Sequence, residues 1–139
     1  MDTRYENSVE LFRRATRVIP GGIYGFKAPL GSLPGVGPYY TARAEGSRFW
    51  DVDGNEYIEY GSGCRAITLG HAFAPVVRAA QEEMLQGANF TRPALVEFDC
   101  AEKFLGLIDG AEMVKFAKDG STVTTAALKL ARAHTGRDY

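Results

Sequence analysis

Cysteine is scarce in this chain: two residues in 139, Cys64 and Cys100. That excludes a disulfide-stapled scaffold, which carries several pairs, and the two stand at no metal-finger spacing. Reduced thiols suit a cytoplasmic protein, the default expectation. Long apolar runs are also missing, and nothing approaches the roughly 20 residues that span a bilayer. The opening residues Met1 to Asn7 lack the apolar core of a signal peptide. An excess of one charge is missing too. Sixteen basic residues stand against 17 acidic ones, a net charge of −1, and the basic residues are scattered. This is no footprint for nucleic acid. Neither the Walker A nor the dinucleotide glycine fingerprint is present. A soluble globular chain remains.

One stretch of it carries chemistry, from Met113 to Ala127. Met113 to Ala117 alternates as a buried strand does, and Asp119-Gly120 breaks it. Val123, Ala127, Leu130, Ala131 and His134 then fall on one face of a helix. A strand, a glycine turn, hydroxyl residues and a helix N-terminus, in that order, can cradle a phosphate. The first helical turn leaves backbone N–H groups without intrahelical partners, at the positive end of the dipole. Gly120 permits close backbone approach, while Ser121, Thr122 and Thr124 add hydroxyl donors. The dipole contributes only about 0.3–1 kcal/mol at an exposed site, so aligned N–H bonds must carry the affinity. Read by itself, the pattern favours an ordinary N-cap by Ser121 or Thr122, because such caps are common.

Earlier in the chain, Ser8 to Ile19 predicts a helix with a thin apolar stripe, ended by Pro20-Gly21-Gly22. Glycine and proline dominate from Gly21 to Pro38. Tyr24, Phe26 and Lys27 in that loop either line a site or pin it to the surface. Tyr40 to Tyr60 reads as a meander that turns at Glu45-Gly46-Ser47 and Asp53-Gly54. The run Asp51 to Asn55 begins like a calcium loop, but its glycine comes too early and Ser62 replaces the bidentate glutamate. In the glycine-rich turn Gly61 to Arg65, the Arg65 guanidinium is either shaped to hold a carboxylate bidentately or a surface charge. His71 has no second ligand at metal spacing, which leaves a hydrogen-bonding role. Two more helices are predicted: Pro75 to Gln86, with Val76, Val77, Ala80 and Met84 inward, and Ala94 to Ile108, with a broad apolar face.

A single parallel strand cannot make a sheet covered by helices on both faces. The apolar helix faces likewise need partners that this chain does not contain. The expectation is the N-terminal piece of a larger protein.

Five segments in order give that expectation a family: Ile19-Pro20-Gly21-Gly22, Phe49 through Ile58, Leu69-Gly70-His71, Phe116 through Thr125, and Leu130 through Asp138. Together they resemble the class III aminotransferases, pyridoxal-phosphate enzymes of fold type I, and within them the glutamate-1-semialdehyde aminomutase-like group. The resemblance implies an α/β fold. Residues 1–71 would be the small α+β N-terminal segment, and 72–139 the first strand–helix unit of the large, mostly parallel sheet domain. It implies that Gly120, Ser121 and Thr122 hold the phosphate of pyridoxal 5'-phosphate, which reverses the reading of that turn as a plain cap. It also implies a cytoplasmic homodimer acting on a small-molecule amino donor and carbonyl acceptor, as an aminotransferase or a 2,1-aminomutase.

Such chemistry needs a Schiff-base lysine. None of Lys27, Lys103, Lys115, Lys118 and Lys129 stands at the family's position for it, so no catalytic residue is assigned. The resemblance breaks at two places. The aminomutases carry a substrate-binding serine and arginine after the Pro-Gly-Gly segment, where this chain has Ile23 to Ala28. They carry tryptophan and glycine where it has Cys64 and Arg65. With Tyr24, these two are the candidate substrate residues: either Arg65 takes over acid recognition or the substrate is a different amine. The alternative from another functional class is a stand-alone, non-catalytic module that binds a phosphate ligand or a partner.

Overall fold

The computed structural model describes residues 3–22 and 40–137. Helix α1 (Glu6–Ala15) is followed by strands β1 (Thr41–Glu45), β2 (Arg48–Asp51) and β3 (Glu56–Ile58), which form one antiparallel sheet in the order β1-β2-β3. A single helical turn, Ser62–Arg65, leads on to α2 (Ala74–Leu85), α3 (Leu95–Leu105) and α4 (Gly120–Thr135). The chain forms two compact units, Met1–Gly87 and Ala88–Tyr139.

In the first unit the meander turns where the sequence predicts. Cross-strand pairs fix its register. Phe49 lies opposite Tyr57, and their rings stack with centroids 5.0 Å apart. Arg43 lies opposite Trp50 and holds its guanidinium 3.4 Å above the indole. Arg48 pairs with Glu56 across β2 and β3. Aromatic and charged pairs of this kind contribute roughly 0.2–1 kcal/mol each. A two-residue bridge between Gly46 and His71 ties the later chain back to the turn between β1 and β2, with both N–H···O distances 2.9 Å. Gly70 makes the approach possible, since a Cβ there would lie 3.0 Å from Gly46 Cα.

The most deeply buried side chains of this unit are polar. Asp51 is 2% exposed and Ser8 is fully buried. Asp51 Oδ1 accepts the Asp53 and Asn55 amides at 3.0 and 2.8 Å. Its Oδ2 accepts Asn55 Nδ2 at 2.9 Å and the Tyr57 hydroxyl at 3.1 Å. Asp53 reaches across to α1. There it accepts the amides of Asn7 and Ser8 at 2.7 and 2.9 Å and the Ser8 hydroxyl at 2.6 Å. The hairpin turn thus caps a helix that lies 45 residues away. This is why α1 starts at Glu6, before the predicted Ser8, and why Ser8 is buried beside Ala15 while Val9 and Phe12 are only partly covered. Burial pushes the Asp53 carboxyl up, but the three donors outweigh it and hold the group below its ordinary value. Tyr57 is driven far above the usual phenol range by burial, reinforced by its hydrogen bonds to Tyr5 and Asp51.

The second unit differs. None of its described residues is buried. The predicted inward faces are open, with Leu95 76% and Phe98 62% exposed. The expected strand from Met113 to Ala117 is not formed: it has no ladder partner among the described residues, and Met113 is 89% exposed. A strand needs a neighbour for its N–H and C=O groups. Phe116 instead packs edge-on against Phe104 at 6.1 Å. Among the described residues no helix is long and apolar enough to cross a membrane.

Candidate functional site

The sequence-predicted residues fall into two groups, one in each unit. Gly120, Ser121 and Thr122 form the first turn of α4. Their helix is capped by Asp119, whose carboxylate accepts the Thr122 amide at 2.8 Å. The cap is therefore Asp119, and not Ser121 or Thr122; an aspartate just before a helix is itself a strong cap signal that the hydroxyl residues obscured. The Thr122 amide and then its hydroxyl, with a smaller contribution from the Ser121 amide, lower the Asp119 pKa. The Thr124 hydroxyl is turned back onto the carbonyls of Gly120 and Ser121, at 3.0 and 3.1 Å, which removes it from the donor set. Apart from its chain neighbours and its own helix backbone, no atom lies within 4 Å of the position a Gly120 Cβ would take. An open cleft of about 400 Å³ runs from Ser121 and Thr122 along Thr125 and Ala126 to Lys129. Three hydroxyl residues, Ser121, Thr122 and Thr125, and Lys129 along one face are donors of the kind an anionic group requires, while the Thr122 amide is already taken by Asp119.

Cys64 and Arg65 lie together in the turn Ser62–Arg65, and both are exposed. The turn is left-handed. Ser62, Gly63, Cys64 and Arg65 have φ of 45°, 56°, 58° and 74°. Only one of the four is glycine, and the left-handed conformation costs about 1–2 kcal/mol for each residue that carries a Cβ. At Gly63 a Cβ would also come within 2.7 Å of Ile67 Cγ1, so a larger residue there would have to displace that side chain. Such strain persists where surrounding structure holds it, and it concentrates at functional positions. Tyr24, with Phe26 and Lys27, lies outside the described residues.

One residue in this region was missed in the sequence. Glu59, the residue after β3, accepts the Ser62 amide on Oε1 at 3.0 Å. Its Oε2 lies 4.0 Å from His71 Nε2. That distance exceeds a hydrogen bond, and His71 Nε2 is buried with no hydrogen-bond partner among the described residues. Both side chains line a cavity of about 320 Å³ together with Ser62, Ile67 and Leu69. A glutamate two residues before a glycine-rich turn carries no motif, so only the fold reveals it.

Comparison with known proteins adds the context. Residues 34–138 match the family model described as aminotransferase class-III. The glutamate-1-semialdehyde 2,1-aminomutase of Desulforamulus reducens is 39% identical over 139 residues, covering 99% of this chain and 32% of that protein. Among solved structures, the FumI protein of Sphingopyxis sp. MTA144 in its PLP internal aldimine form superposes with a TM-score of 0.85 at 39% identity, over 97% of this chain and 32% of that one. An omega-transaminase from Sphaerobacter thermophilus gives 0.83 at 31% identity, over 97% and 31%. The chain thus spans about a third of the length of the curated relatives it matches.

Proposed function

This chain belongs to the class III aminotransferase family and carries part of the fold-type-I architecture, and from that premise we propose that it forms part of an enzyme transferring an amino group between a small-molecule amine and a carbonyl acceptor. The cofactor is pyridoxal 5'-phosphate. The donor set at the start of α4 fits its phosphate: open space before Gly120, the Ser121 and Thr122 hydroxyls, and Lys129 farther along the same cleft. That fit is the observation that carries the proposal. When bound, the cofactor supplies an electron sink for the amine carbon. The chain's own part is to hold and orient. The Ser121 and Thr122 hydroxyls would donate hydrogen bonds to the phosphate at the positive end of the helix, and Lys129 would supply the opposing charge. Asp119 caps that turn, and its negative charge would oppose a phosphate dianion held there.

At the other group, Arg65 presents a planar, permanently charged guanidinium suited to a substrate carboxylate. Cys64 and Tyr24 are proposed to border the same substrate. The relatives' names include both an aminomutase and a transaminase; the pair Cys64 and Arg65 supports an acidic amine donor in either reaction. We assign residues 1–71 to the small-domain segment and 72–139 to the start of the cofactor domain. We further propose a cytoplasmic homodimer that handles small molecules and contacts neither nucleic acid nor membrane.

Titrating the full-length apoprotein with pyridoxal phosphate, followed by absorbance, tests the central claim. Replacing Ser121 and Thr122 together by alanine is expected to weaken cofactor binding by about tenfold or more, since two hydrogen bonds to a charged group are lost. An unchanged affinity would remove the phosphate from this turn.

A further inference from the structure

We infer that Glu59 is a positioning residue for substrate recognition: its carboxylate sets the left-handed turn that presents Cys64 and Arg65. The inference rests on the reading of Arg65 as the carboxylate-binding residue.

Glu59 is well anchored. Its own amide donates to the Ser47 carbonyl at 2.8 Å, which locks its backbone to the sheet. From that fixed point Oε1 takes the amide of Ser62, the first residue of the turn. The turn closes on itself through Arg65 N to Gly61 O at 3.2 Å and Ile67 N to Ser62 O at 3.0 Å. Those bonds give it a shape, but three residues with a Cβ do not favour this hand locally. An external support is required, and Glu59 supplies a charge-assisted one from the rigid sheet. Gly61 is matched to it, because a Cβ there would lie 2.8 Å from Oε1 and displace the carboxylate from Ser62.

The second oxygen is confined as well. It faces His71 Nε2, and His71 is itself tied to Gly46 by both backbone bonds. The carboxylate is therefore held between the sheet edge and the turn, about three-quarters covered, with a side-chain exposure of 26%. The direction in which Arg65 leaves the backbone follows from the hand of the turn, and the hand follows from Glu59. A contact that holds the substrate equally in ground and transition states shows, when lost, as a raised KM with kcat unchanged.

Steady-state kinetics of the full-length holoenzyme test this, with a carboxylate-bearing amine donor compared with the same amine lacking the carboxylate. Glu59→Ala is expected to raise KM for the first donor about tenfold, with KM for the second and both kcat values within about twofold. Glu59→Gln, which keeps an acceptor oxygen for the Ser62 amide, is expected to restore most of the loss. In an Arg65→Ala background, Glu59→Ala should add nothing further. Equal KM increases for both donors, or failure of Gln to rescue, overturns the inference by showing a general structural defect. A large effect of Arg65→Ala with none from Glu59→Ala overturns it too, while leaving the Arg65 reading intact. No effect of Arg65→Ala sinks that reading itself. Should Glu59→Ala not accumulate as folded protein, Glu59→Asp, one methylene too short to reach Ser62, carries the same comparison.

Discussion

Two helices of this molecule begin under an aspartate, and the two caps do opposite work. Asp53 caps α1 from a hairpin turn 45 residues away, with three donors converging on its carboxylate. Asp119 caps α4 from the adjacent position, exposed to solvent, with one amide at 2.8 Å. The distant cap joins two elements and so specifies topology. The local cap joins nothing; it shapes a turn whose outer face stays open. The same chemical unit thus builds the fold in one place and leaves an exposed helix start in the other. Burial and sequence separation make the difference.

The largest expected effect comes from removing the support beneath the distant cap. Asp51→Ala removes the acceptor of two part-buried amides and one of the two acceptors of Asn55 Nδ2 and of the Tyr57 hydroxyl. A loss of about 3 kcal/mol or more is expected, read as a lower urea midpoint. Asp53→Ala should cost about 2 kcal/mol and raise hydrogen exchange at the Asn7 and Ser8 amides, while the α4 amides remain as protected as before. Equal loosening of both helices would erase the distinction drawn here.

Acid sharpens the comparison further. The folded Asp53 pKa lies below its ordinary value, so its contribution is fully present above that ordinary value and is lost as pH falls through the folded one. Undocking of α1 in acid, absent in Asp53→Asn, is the expected signature. The smallest effect belongs to Asp119. Replacing it by serine keeps a neutral cap and removes a like charge, so pyridoxal phosphate binding to the full-length protein should tighten by roughly two- to fivefold. Weaker binding would mean that the carboxylate orders the turn more than it repels the dianion.

Much of this was readable in the sequence. Asp53-Gly54 and Glu45-Gly46-Ser47 announced the meander, and apolar periodicity announced α2, α3 and α4 within two or three residues at each end. The hydroxyl turn at Gly120 to Thr122 was legible because its signals are contiguous. Three features were not. Asp53 as a cap was hidden, since nothing local links a hairpin turn to Asn7 and Ser8. The left-handed hand of Ser62 to Arg65 was hidden, because three of its residues disfavour it and Glu59 overrides them through the sheet. Met113 to Ala117 reads as a strand by composition, yet strand formation depends on a neighbour, and the described chain offers none.

The separation between Asp53 and α1 also has a meaning in time. A ten-residue helix is marginal in water, and α1 is synthesised well before the carboxylate that caps it. At about 5–20 residues per second, the 45 intervening residues take roughly 2–9 s to emerge. During that interval the first helix of the nascent chain is a transient conformer awaiting its partner. The capped form of α1 therefore cannot precede the emergence of Asp53, and slowing translation between residues 15 and 53 would lengthen the interval in which α1 is uncapped.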